Sequence, residues 1–164
     1  MIAIEFLIRS LGHNISMLYT RASTTHDRSA PLNAQGRKDA LKMGKVLAAE
    51  GVKVDAVLCS TAQRTRETLK EFSFEGAPRY LDRLYTAELR DYLDMLMQLS
   101  PDIEVAVIVG HNPTIASALE FFTERYKAFS PASIALIEFE IEKWDTLIEN
   151  PVGKLLEYWI PENL

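Results

Sequence analysis

The chain has 164 residues, of which 48% are hydrophobic and 25% charged, with a net charge of -5. That length supports one domain with a genuine core and leaves little room for two. The acidic balance, with no long basic run, argues against nucleic acid as the main partner. The single cysteine, Cys59, excludes a disulfide framework within the chain and fits a reducing cytoplasm.

Met1 to Arg9 is apolar but interrupted by Glu5, and it is too short to span a bilayer. It also lacks the basic start and small-residue cleavage site of a signal peptide, so no membrane partner is expected. Residues 1–16 read as an N-terminal extension, with Met17 a candidate start and an added edge strand the alternative; residues 17–164 read as a single domain. Ile15 to Arg21 is a strand pattern that stops on a cation, followed by Ala22 and a polar, turn-rich stretch to Pro31. Asn33 is placed to cap a helix whose apolar stripe includes Ala40, Leu41, Met43, Val46 and Leu47, and Gly51 suits its C-terminal end. Val54 to Cys59 is a buried strand, and Ser60-Thr-Ala-Gln63 has the spacing of a capping box opening a helix through Leu69. Phe72 to Tyr85 reads as irregular, with Gly76 and Pro78. Leu89, Tyr92, Leu93, Leu96 and Leu99 share one face of a helix that ends before Ser100-Pro101. Val105 to Gly110 is the most hydrophobic strand, after which Asn112 is expected to cap a helix with Pro113 in its first turn. Ser133 to Ile141 and Leu155 to Ile160 close the chain as two strands. This alternation predicts an α/β fold of three layers, a mostly parallel central sheet with helices on both faces.

In such sheets ligands bind beyond the carboxyl ends of the strands. Three strand ends deliver polar groups there: Arg21 after the first, Ser60 and Arg64 after the second, His111 after the third. Guanidinium forks match phosphate oxygens bidentately, and helix N-termini favour anions, so a phosphoryl group fits this edge better than a simple carboxylate. Arg28 stands where it can reach the mouth. Taken singly, each residue has a plainer reading. A strand-end arginine is usually a solvated charge, Arg64 could pair with Glu67 or Glu71, and a lone histidine at a helix start is more often structural. Their coincidence on one edge favours the pocket. His26-Asp27 with His111 matches no metal-ligand spacing, and the arginines would repel a cation, so neither metal nor cofactor is expected. Neither the glycine-rich dinucleotide fingerprint nor a P-loop follows the first strand.

The motifs Leu18-Tyr-Thr-Arg21, Asp27-Arg-Ser-Ala-Pro-Leu-Asn-Ala-Gln-Gly-Arg37, Val57-Leu-Cys-Ser60-Thr-Ala-Gln-Arg64-Thr-Arg-Glu-Thr68 and Val109-Gly-His-Asn-Pro113 occur in a characteristic order and spacing. In these the chain resembles the histidine phosphatase superfamily, of phosphoglycerate-mutase-like fold, and within it the SixA-type phosphohistidine phosphatases. The resemblance implies that Arg21 and Arg64 bind phosphate and that His111 is the second pocket histidine. It also implies a phosphate-bearing substrate, a phosphohistidine in a signalling protein, and a cytoplasmic setting. The family's nucleophilic histidine follows the first arginine, and here that position holds Ala22. Alanine has no lone pair, and losing a nucleophile costs on the order of 10⁶ in rate. His26, four residues further on, is too displaced to substitute. Candidate general acids are Asp82, Tyr85 and Glu88. The alternative reading is a pseudophosphatase that binds a phosphorylated partner without turning it over.

Overall fold

The computed structural model describes residues 27–51, 53–71 and 76–164, together with the backbone of 13–19. The expectations for Arg21, Ala22, His26 and most of the N-terminal extension fall outside these residues.

A six-stranded sheet organises the domain in the order β3-β2-β4-β1-β5-β6. Its strands are β1 (His13–Tyr19), β2 (Ala56–Ser60), β3 (Arg79–Leu81), β4 (Val105–Gly110), β5 (Ile134–Phe139) and β6 (Lys154–Trp159). The four from β3 to β1 run parallel, and β5 and β6 are added antiparallel beside β1. β4 carries the run Val-Ala-Val-Ile-Val because a central parallel strand is covered on both faces; Ala106 to Val109 are fully buried.

The helices are α1 (Ala34–Glu50), α2 (Gln63–Lys70), α3 (Leu89–Met97) and α4 (Thr114–Thr123). Parallel crossovers are right-handed, so the direction of travel along the sheet decides which face each helix covers. The chain steps one way from β1 to β2 to β3 and then returns to β4. The reversal puts α1 and α2 together on one face and α3 and α4 together on the other; each pair is in contact. α1 starts where the Asn33 side chain accepts the Gly36 N–H at 2.7 Å and stops at Gly51, whose φ of 71° terminates the helix. Trp144, in a short 3₁₀ turn, is buried and donates its indole N–H to the Ile103 carbonyl at 2.6 Å.

Four local expectations are corrected. β1 begins at His13, two residues before the expected Ile15, and Asn14 to Ser16 pair with β4 and β5. The stretch from Phe72 to Tyr85 is not wholly irregular: Arg79–Leu81 forms β3 on the edge of the sheet and Asp82–Leu84 a 3₁₀ turn. Ser60 does not close a capping box on α2, which begins after Ala62 with no side-chain cap; its hydroxyl is engaged elsewhere. Nor does Asn112 cap α4. Its amide donates to the Phe129 carbonyl at 3.1 Å, and α4 begins one residue later than expected, with Pro113 as the capping position.

Candidate active site

β2 and β4 are neighbours in register, with Cys59 opposite Val109, so the residues that follow them emerge side by side. Ser60 is the last residue of β2 and fully buried; His111 is the first after β4. The ring Nε2 of His111 lies 2.8 Å from Ser60 Oγ. In the first turn of α2, Arg64 is only 8% exposed, and the plainer alternative, a pairing with Glu67 or Glu71, is absent from its described contacts. Its guanidinium instead donates to the Asp27 carbonyl at 3.0 Å and reaches His111 Nδ1 at 3.2 Å. Glu67 is satisfied by Arg37 at 2.9 Å, by the Leu32 N–H and by Gln63.

Burial, followed by the charge of Arg64, pushes His111 from 6.5 down to about 3. The ring is therefore neutral at neutral pH. A cation this close to a neutral imidazole, both against helix and strand ends, makes a site suited to an anion.

Tyr85 forms the outer wall. Its ring meets His111 edge-on at 5.5 Å between centroids, and the guanidinium carbons of Arg28 and Arg64 lie 4.6 and 5.6 Å from its centroid. Arg28, at the mouth, is exposed and ion-paired with Asp82. Asp82 also accepts from the Thr61 hydroxyl at 2.7 Å. That hydrogen bond, then the Arg28 charge, hold its carboxyl below the usual range, so Asp82 is a poor store of a transferable proton at neutral pH. Glu88 is exposed and caps α3 in a reciprocal box with Asp91. Of the three candidate acids, only Tyr85 touches the His111 ring.

Behind His111 a hollow of about 180 Å³ is lined by Leu84, Tyr85, Ala87, Tyr92, Asn112 and Thr114, among others. Tyr92 is wholly buried beneath the end of β4, where burial raises its hydroxyl pKa. Gly110 is required there, because a Cβ would stand 2.1 Å from the Tyr92 hydroxyl oxygen. The free thiol of Cys59 is buried in the sheet and pushed up to about 12 by burial, so it is inert as a nucleophile.

One contributor was not singled out from sequence, nor was the role of a second. The Asp27 carbonyl, a partner of Arg64, belongs to a turn closed by Asp27 accepting from Ser29, a spacing that could have marked it. Ser60, noted only as a polar strand end, is the direct partner of His111.

Residues 19–95 match the family described as the histidine phosphatase superfamily, branch 1. An uncharacterised protein of Mycobacterium tuberculosis is 35% identical over 99 residues, which cover 60% of this chain and 61% of the relative. The chain thus spans about three-fifths of the length of that relative. Among solved structures, a SixA from Nakamurella, described as a putative phosphohistidine phosphatase, superposes with a TM-score of 0.83 at 23% identity, covering 93% of this chain and 98% of its own. The protein histidine phosphatase SixA complexed with tungstate gives 0.76 at 18% identity, covering 92% and 98%. The architecture is the phosphoglycerate-mutase-like α/β fold.

Proposed function

We infer that a chain with the superfamily match over residues 19–95 and the fold of the SixA structures is a phosphoryl-handling protein of the histidine phosphatase type. Its substrate class is a phosphohistidine carried by a signalling protein. The observation that carries this reading is the contact of Arg64 with His111 at the adjoining ends of β2 and β4. A buried guanidinium held beside a neutral imidazole is preorganised for a tetrahedral oxyanion and has no other counter-charge in hand among its described contacts.

The chemistry follows from what a phosphoryl group needs. Its loose transition state spreads charge over three oxygens, and positioned cations stabilise it more than any covalent device. Arg64, with Arg21 by resemblance, supplies that charge, and His111 supplies a donor once the anion has raised its proton affinity. A histidine after Arg21 would attack phosphorus, the bond to the substrate nitrogen would break, and water would then release phosphate. Ala22 occupies that position, so this chain stops at binding or turns over very slowly.

The hollow behind His111 suits the leaving group. A dry cavity of about 150 Å³ admits benzene, so 180 Å³ accommodates an imidazole ring. An imidazole protonated on its distal nitrogen departs neutral, which lessens the demand for a strong acid and fits the engagement of Asp82 and Glu88 elsewhere.

Ala22→His is expected to create hydrolysis of a phosphohistidine peptide, with a trapped phosphoenzyme, in a protein that otherwise has little. A folded Ala22→His variant that binds phosphate but shows no turnover would displace the catalytic reading. The second reading, a pseudophosphatase that binds without turnover, rests on Ala22 itself. Calorimetry of the unmodified chain with phosphate or tungstate tests the pocket common to both.

A further inference from the structure

We propose that Ser60 is a positioning residue, whose hydroxyl fixes the tautomer and orientation of His111 so that the Nδ1 edge of the ring faces a bound oxyanion. The proposal rests on the reading of Arg64 as the phosphate-binding cation.

The argument is one of donors and acceptors. A guanidinium has N–H donors and no acceptor, so the His111 nitrogen 3.2 Å from Arg64 must offer its lone pair. That nitrogen is Nδ1, which leaves the proton of the neutral ring on Nε2. The Nε2–H points at Ser60 Oγ, 2.8 Å away. Ser60 is suited to hold it. Its oxygen is at the end of a central strand, fully buried, and its only other described contact is the long approach of the Ala62 N–H at 3.4 Å. The Ser60 carbonyl is clamped in turn by the Thr65 hydroxyl at 2.7 Å, so the strand end cannot swing away.

The choice of a hydroxyl has a consequence. Histidines are often oriented by a carboxylate, which would cancel one of the few positive charges that an anion pocket depends on. A serine oxygen accepts the Nε2–H whether the ring is neutral or protonated, and adds no charge. When an oxyanion draws the Arg64 guanidinium onto its own oxygens, Nδ1 is released, and it takes a proton from solvent and donates it to the anion. Throughout, Ser60 keeps hold of the opposite nitrogen.

The test is spectroscopic first. Long-range proton–nitrogen correlation of the imidazole rings in the ¹⁵N-labelled chain, with His111 assigned from the spectrum of His111→Gln, should show Nε2 protonated and Nδ1 bare at neutral pH. Ser60→Ala should shift His111 toward the other tautomer or a mixture and weaken inorganic phosphate by about tenfold in calorimetry, the scale of one lost hydrogen bond. Ser60→Thr, which keeps the hydroxyl, should recover both. A wild-type ring protonated on Nδ1, or a Ser60→Ala protein with unchanged tautomer and affinity, would overturn the proposal. Failure of the wild-type chain to bind either phosphate or tungstate would count against the Arg64 reading, while the ring spectra still decide whether Ser60 sets the tautomer.

Discussion

Arg64 pairs with backbone and imidazole instead of a carboxylate, and so keeps its full charge available. Replacing it with alanine removes a fork of two charge-assisted hydrogen bonds, worth about 3 kcal/mol or roughly a hundredfold in affinity. Titration calorimetry with tungstate should register that loss, and Arg64→Lys should not restore it, since an ammonium cannot reproduce the planar fork. His111 has a separate thermodynamic signature. Its pKa is 6.5 when exposed and about 3 in the fold, so between these values the unfolded chain holds a proton that the folded chain rejects. Stability supported by His111 is complete above pH 6.5 and is lost progressively as the pH falls toward 3, at up to about 1.4 kcal/mol per pH unit. Urea midpoints from pH 4 to 7 should therefore fall more steeply with acid for the wild type than for His111→Gln. Equal slopes would mean that the histidine is not held neutral.

At the scale of the element, the end of β4 is the tightest joint near the site. Gly110→Ala places a methyl against the Tyr92 hydroxyl and should destabilise by about 1–3 kcal/mol, much of which Tyr92→Phe should relieve in the double variant. Additive effects in thermal denaturation would show that the two positions do not collide. The same elements show what could be read in advance. β4 and α1 were legible because each announces itself twice, by periodicity and by an end signal: the Val-Ala-Val-Ile-Val run, and the Asn33 and Gly51 caps. That Arg64 and His111 would meet at one sheet edge was legible because each follows the end of a buried strand by a few residues at most. β3 escaped notice, since three residues with two exposed carry no hydrophobic pattern. Ser60 and Asn112 misled for a shared reason: short polar side chains at helix starts usually cap, and here tertiary partners, the His111 ring and the Phe129 carbonyl, outcompeted the local backbone.

For the molecule as a whole, the site lies where the direction of the fold reverses. From β2 the chain leaves along α2 across one face, and from β4 along α4 across the other, so the crevice at Arg64 and His111 lies between helices on opposite faces of the sheet. An oxyanion bridging that crevice ties both halves together, and phosphate or tungstate at a hundred times its dissociation constant should stabilise the fold by about 2.7 kcal/mol. A rise in melting temperature that tracks anion concentration, and that is absent in Arg64→Ala, is the expected result. The order of the strands also governs biogenesis. β1 and β2 never touch, because β4, made some forty-five residues after β2 ends, is the slat between them. A ribosome that has released only residues 1–95 holds β1 and β2 without the strand that joins them. Such a fragment has no route to a closed sheet, and the nascent protein must stay unassembled until Val105 to Gly110 emerges.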